Sequence, residues 1–490
     1  MRKVMSSILL AAMLVTACAC AGDDPTGSAD TTVGGAVNAV TAAPETTVPE
    51  DTEPPIVYPD LTGFTLNVAK IDQSKVSWSD NTFVVADMNG DVLNDALYKR
   101  NSTIEAETGA KIEEESFTDV KSVIRKNSQA NDSTYHLYME RIREMGSMTA
   151  EGYFYDIHDV GGLNLEMPWW DQDFIEDTSV MGKNYMLVGD LLLTTADCLY
   201  SIIYDKEVAR DVGITDLYQV VRDGKWTLEQ MTTYMAQVTN DLNGDSKYDY
   251  NDRYGLISVP VADPIFAFII ASDLNAFTLQ ADGTPELSAK SEKFSTMFER
   301  LQTIYNGDDY FSLNDYDGLK NAQAITALFS GKQALFLPQC ISAGGNYLRD
   351  LDHDFGFLPT PKYDEAQEKY LSHVNMAAPV FFVPLTNGEA DKTGALLEVL
   401  SHYSHEHVMD VYYETCFSAK FARDEESYEM LQLALENKVY DLGFVWKWGD
   451  FMNKIAALIE NKSASLSSTI ATLEKLVNAD IEDTLAALKD

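Results

Sequence analysis

Short apolar runs alternate with amphipathic stretches along most of this chain. Phe64 to Ala69 and Phe83 to Ala86 carry strand-like patterns, as do Ser201 to Tyr204, Ala334 to Leu337, Phe355 to Leu358 and Val380 to Val383. Asp91 to Thr108 places Leu93, Ala96, Leu97 and Ile104 on one side, the spacing of an amphipathic helix. Thr227 to Val238 reads as a second helix, with Thr227 at its cap and Glu229 in its first turn. Gly394 to Tyr412 and Met452 to Leu488 are mostly helical in pattern. Strands interleaved with helices predict an α/β architecture. No repeat with a period of about 20–50 residues interrupts it. No Pro-rich or Gly-rich linker divides the body, so two lobes, if present, share several direct crossovers.

The first residues follow a different pattern. Arg2 and Lys3 precede Val4 to Ala17, which is apolar or small throughout. That is the layout of a secretory signal, too short for a spanning helix. Val15-Thr16-Ala17-Cys18 resembles the bacterial lipobox, in which the cysteine thiol receives the lipid. Residues 1–17 are therefore expected to be a lipoprotein signal peptide and Cys18 the acylated residue, with Cys20 a weaker second candidate. Residues 18–58 are rich in Thr, Pro and acids and predict a disordered tether. The expected location is extracytoplasmic, anchored to the cell membrane by lipid.

Charge narrows the partners. The chain has 490 residues, 77 acidic and 36 basic, for a formal net charge of −41. Residues 1–58 hold 7 acids and 2 bases, leaving 34 bases against 70 acids, or −36, in the remainder. Nucleic-acid backbones and anionic lipid surfaces are recognised by clustered Lys and Arg, so neither is an expected partner of the body. Five cysteines are present without a CxxC pair, which excludes a zinc ribbon and a disulfide framework. Cys198, Cys340 and Cys416 are read as buried thiols, one disulfide among them being the alternative.

An ordered set of local motifs carries a family resemblance. Asn94-Asp95-Ala96-Leu97-Tyr98-Lys99-Arg100-Asn101 resembles the first helix of a clostridial branch of the extracellular solute-binding proteins, family 1. Pro168-Trp169-Trp170-Asp171 and Tyr204-Asp205-Lys206 follow, the last where that family has Phe/Tyr-Asn-Lys. Asp223 to Thr227, Asp241 to Asp245, Phe355 to Asp364 and Glu365 to Tyr370 complete the series. The resemblance implies a type II periplasmic-binding-protein fold, two α/β lobes joined by hinge crossovers and closing on a ligand. It implies lobe one from 60–205 plus 370–405, and lobe two from 206–369 plus 406–490. It also implies an ABC importer's receptor, monomeric, that passes a solute to the permease's transmembrane subunits. In family 1 the solute is most often a carbohydrate, here expected to be an oligosaccharide.

Two groups of residues carry candidate chemistry. Asp241, Asn243, Asp245, Lys247, Asp249 and Asp252 stand at positions 1, 3, 5, 7, 9 and 12 of one loop. Five side-chain oxygens and the Lys247 carbonyl at that spacing suit a structural calcium ion, although position 6 is Ser246 and position 12 is Asp. The alternative is an Asx-rich turn that binds nothing. A sugar cleft needs flat apolar faces and paired polar groups. Trp169, Trp170, Trp446 and Trp448 are the candidate faces, core packing being the other reading of each, and Trp226 reads as core. Arg141, Asp197 and Asn375 are candidate hydroxyl readers. His402, His405 and His407 cluster around Glu406 but read as a solvated helix face. No Walker loop, GxGxxG or GxSxG is present, so no catalytic role is expected. A peptide or polyamine receptor is the first alternative, suggested by the acidity, and a surface glycan-degrading enzyme the second.

Overall fold

The computed structural model describes residues 56–414, 423–461 and 465–489. The signal segment, Cys18, Cys20, all but the end of the tether, and Cys416 lie outside the described residues. Thirteen strands occur in this order. They are β1 Thr65–Ile71, β2 Lys111–Phe117, β3 Leu137–Arg141, β4 Tyr200–Asp205, β5 Tyr254–Ser258, β6 Phe277–Leu279 and β7 Pro285–Leu287. Then come β8 Tyr310–Ser312, β9 Ala334–Cys340, β10 Phe355–Leu358, β11 Ser372–His373, β12 Pro379–Phe382 and β13 Lys438–Val439.

Two sheets organise the body into two α/β lobes. The first runs β12-β3-β1-β2, parallel except for β12, which pairs antiparallel with β3. The second runs β10-β4-β9-β5-β8, with β4 antiparallel to both neighbours and β5 parallel to β9 and β8. Strands β4, β5, β10 and β12 are buried along their whole length. Helices cover both faces, which is why these strands read as apolar runs without polar alternation. Helix Val92–Thr108 packs on helix Ala390–His407 in the first lobe. Helix Glu425–Leu435 packs on β10 in the second.

The chain changes sheet before Tyr200 and again between Leu358 and Pro379, and after His407 it returns to the second lobe through helix Glu425–Leu435, which packs on β10. The span 60–205 expected for lobe one includes β4, whereas β4 hydrogen-bonds into the second sheet between β10 and β9. At the seam two crossing segments pair with each other, Leu199 bridging Val374 and Asn375 N donating to Cys198 O at 2.9 Å.

The sequence pattern fails at Phe83 to Ala86, which is not a strand. Its polar backbone atoms are taken by side chains. Arg100 Nη2 and Asn101 Nδ2 both donate to Phe83 O at 2.8 Å, and Val84 N donates to Glu114 at 3.0 Å. Those side chains take the place of a neighbouring strand at Phe83 O and Val84 N. Asp91 caps the first helix by accepting from Leu93 N and Asn94 N, and Thr227 caps the second by accepting from Gln230 N. Among the described residues no helix is long and apolar enough to cross a membrane.

Candidate functional site

The loop leaving the C-terminal end of β1 is built by its own side chains. Asp72 accepts from Ser74 N at 3.0 Å and starts a short turn over Gln73–Lys75. The Gln73 amide donates to Ser79 O at 2.7 Å and accepts from Asn81 N at 3.2 Å. Asn81 Nδ2 ties the far end back to Ile71 O at 2.7 Å. These bonds fix Trp78, Ser79 and Asp80 at the end of the first sheet. From the second sheet, β9 runs out into helix Ser342–Tyr347, followed by Arg349. A cavity of about 440 Å³ lies between these walls, lined by Trp78, Ser79, Asp80, Asp197, Ser342, Asn346, Arg349 and Tyr412 among others. In open α/β sheets, ligands bind beyond the carboxyl ends of the strands, which is where both walls stand.

Asp197 joins the two sides of this cavity. It accepts from Asp80 N at 2.9 Å and from the Tyr412 hydroxyl at 2.7 Å. Other groups lack partners. Trp78 Nε1 and Ser342 Oγ are buried with no hydrogen bond, and Ser79 Oγ has only the Cys198 thiol beside it. Cys198 is fully buried, and burial pushes its thiol well above its ordinary pKa. Cys340 is likewise a buried free thiol.

A second, smaller opening of about 170 Å³ lies along the same seam, lined by Arg143, Glu144, Asp263, Phe444, Lys447 and Asp450 among others. Arg143 approaches Asp263 at 3.7 Å and Lys447 approaches Glu144 at 3.7 Å. Beside Asp263, His373 is fully buried between the rings of Tyr200 and Phe444, at centroid distances of 5.6 and 5.0 Å. His373 Nε2 stands 3.6 Å from Asp263 Oδ1, and neither atom has a hydrogen-bond partner.

The residues singled out from the sequence fall in different places. Asp197 lines the larger cavity. Arg141 donates to Glu140 at 3.0 Å at the end of β3, and Asn375 accepts from Ala377 N at 2.8 Å in the second crossover. Trp169 and Trp170 are buried in the first lobe, with Trp170 Nε1 donating to Glu398 at 2.9 Å and Trp169 edge-on to His402. Trp446 and Trp448 lie parallel, 5.9 Å apart with 2° between their planes. Lys447 between them has φ +54°, and this left-handed residue brings two side chains face to face that a continuous helix would separate. They border another cavity, with Ser147, Asp480, Asp483 and Thr484, and Trp448 Nε1 donates to Thr484. Trp226 is buried and donates to Pro359 O at 2.8 Å.

Trp78, the sixth tryptophan, has no place in that sequence-derived set, nor do Ser342, Arg349 and Tyr412. The signal for Trp78 was its position, a Ser-Trp-Ser-Asp run just past an apolar strand in an α/β pattern. Helix Ser342–Tyr347 carries no such mark, because its residues meet the cavity only through the sheet order.

The acidic loop is a chain of turns. Asp241 accepts from Gly244 N and Ser246 N, Asn243 from Asp245 N, and Asp245 from Lys247 N. Buried Asp252 accepts from Leu242 N and Asp249 N, and Asp249 from Asn251 N. Ser246 adopts φ +64°, the left-handed turn that a calcium loop asks of its sixth residue. Among the described residues no group of three or more His, Cys, Asp or Glu is gathered to hold an ion. His405 pairs with Asp190 at 2.5 Å, away from His402.

No protein-family model and no curated protein matches the chain. Solved structures do match. The sugar-binding protein MalE of Xanthomonas citri aligns with a TM-score of 0.60 at 10% identity, over 87% of this chain and 99% of that one. A cyclo/maltodextrin-binding protein complexed with maltotetraose aligns at 0.55 and 15% identity, over 87% and 97%. An ABC substrate-binding protein from Listeria monocytogenes, in complex with cycloalternan, aligns at 0.53 and 12% identity, over 87% and 99%. The fold is that of the type II periplasmic binding proteins, two α/β lobes joined by crossovers.

Proposed function

We propose that this protein is the solute-binding receptor of an ABC importer and captures an oligosaccharide between its two lobes. One observation carries the reading: a cavity between the carboxyl ends of two sheets, lined by an aromatic ring and by polar groups that the chain itself leaves unpaired. A buried donor or acceptor without a partner costs about 1–3 kcal/mol, and a ligand's hydroxyls recover that cost. Trp78 supplies the ring, Ser342 and Ser79 the unpaired hydroxyls, and Asp197 the carboxylate between the walls. Similarity to structures holding maltotetraose and cycloalternan supports the carbohydrate class.

The mechanism is closure. Contacts to both walls exist only when the lobes meet, so ligand shifts the equilibrium toward the closed form in proportion to its differential affinity. The closed form then presents a joint surface to the permease. In this reading lobe one spans 60–199, the segment around 370–407 and the crossovers between, while lobe two spans 200–369 and 408–490. Cys18 carries the lipid, residues 18–58 tether the body, and the protein works outside the cytoplasm as a monomer. The Asp241–Asp252 loop binds calcium as a clamp, supported by ligand spacing and by the left-handed Ser246.

Thermal melting of the full chain against a panel of mono- and oligosaccharides tests the receptor. A ligand that binds only the folded state raises the melting temperature. A shift confined to one glycan class is the expected result. Shifts with peptides or polyamines, and none with glycans, would overturn the sugar assignment.

A further inference from the structure

The walls of the larger cavity differ in charge. Asp80 stands on one wall and Asp197 between the walls, and Arg349 is the single basic residue among the described residues that line it. The two carboxylates are already engaged: Asp80 accepts from Thr82 N at 2.9 Å, and Asp197 from Asp80 N and the Tyr412 hydroxyl. The lone pairs Asp80 has left suit hydroxyl donors. Arg349 is different. Its side chain is exposed at the cavity rim, and among the described residues no carboxylate or other acceptor pairs with its guanidinium. Arg125, Arg143, Arg222 and Arg253 all hold carboxylates.

The backbone that presents Arg349 is held firmly. Arg423 donates to Leu348 O at 3.1 Å, Arg349 O at 2.8 Å, Leu351 O at 3.0 Å and His353 O at 2.7 Å. Its guanidinium also lies over Phe355, 4.7 Å from the ring centroid. One arginine thus clamps four carbonyls of the segment that carries another. A side chain on a fixed backbone loses less entropy when it binds.

Resting on the oligosaccharide reading, we propose that the ligand is an acidic saccharide whose uronate carboxylate pairs with Arg349 while its hydroxyls meet Asp80 and Ser342. A guanidinium binds a carboxylate or a phosphate through two parallel N–H bonds. A single arginine facing two carboxylates matches the one charge of a uronate better than the nearly two of a phosphate monoester.

Calorimetric titration of the full chain with matched pairs tests this: cellobiose against cellobiouronic acid, galactobiose against digalacturonate, and glucose 6-phosphate as the phosphate arm. The expected result is at least tenfold tighter binding of one uronate than of its neutral partner, weakening several-fold as salt is raised. Arg349→Gln should remove that difference, and Arg349→Lys should restore part of it. Equal affinity for both partners, binding of neutral members alone, preference for the phosphate, or a preference that survives Arg349→Gln would each overturn the inference and leave the receptor standing. If no saccharide of either kind binds, the oligosaccharide reading falls and this inference with it.

Discussion

Three tryptophans of the lobe interiors and the tryptophan of the cavity wall differ in what their polar ends do. Trp170, Trp226 and Trp448 are buried, and each donates its indole N–H within its own fold, to Glu398, Pro359 O and Thr484. Trp78 is half-buried and donates to nothing. An indole N–H beside a cavity with no partner in the chain is open to a ligand. Ring size and apolar character are the same in both regions. Trp446 Nε1 is buried without a hydrogen bond as well, so what distinguishes Trp78 is its partial exposure on the wall of the cavity beyond the carboxyl ends of the strands.

The strongest way to break this comparison is to remove a ring from the interior. Trp170→Ala should cost about 3–5 kcal/mol of stability, since it leaves a cavity and strands Glu398, whose carboxyl burial already raises in pKa. Chemical denaturation checks this, and a cost below about 1 kcal/mol would show that Trp170 is no core residue. The next effect depends on pH. Burial pushes the Asp441 carboxyl up to about 6, against the amide hydrogen bonds from Gly443 and Ala276 that lower it. A pKa raised in the folded state means that folding favours the proton. The stabilisation is fully present below about pH 4 and is lost as pH rises through about 6, on the order of 3 kcal/mol in all. Asp441→Asn should flatten the stability curve across that window, and an unchanged slope would contradict it.

Trp78→Ala sharpens the contrast from the other side. It should change stability by less than about 1 kcal/mol yet weaken glycan binding at least tenfold, about 1.4 kcal/mol. The smallest effect belongs to the acidic loop. EDTA should lower the wild-type melting temperature slightly, and Asp245→Ala should remove that dependence. A melt indifferent to EDTA would reduce the loop to a series of Asx turns.

Much of the fold was legible because its strands are short, wholly apolar and flanked by clear helix caps. Phe355–Leu358 appears as expected, and β1 and β12 differ from their expected bounds by one or two residues. The failures share one cause. Phe83 to Ala86 has a strand's composition, but Arg100 and Asn101 satisfy its carbonyl. The switch into the second sheet precedes β4 because its partners, β9 and β10, are formed more than 120 residues later. Local pattern carries neither fact. The site was less legible still. Asp197 was found from its place just ahead of a strand, whereas Ser342 and Arg349 reach the cavity only because β9 lies beside β4. The Trp446–Trp448 stack depends on one left-handed residue, Lys447, that nothing in its type announces.

The central claim is that the cavity between the two sheets takes an oligosaccharide against Trp78. Titration calorimetry of wild type and Trp78→Ala with the glycan class that raises the melting temperature tests it most directly. The account predicts a single site on the wild type, lost or weakened at least tenfold in Trp78→Ala, with the ligand-free melting temperature unchanged. Equal affinity in the two proteins would contradict it.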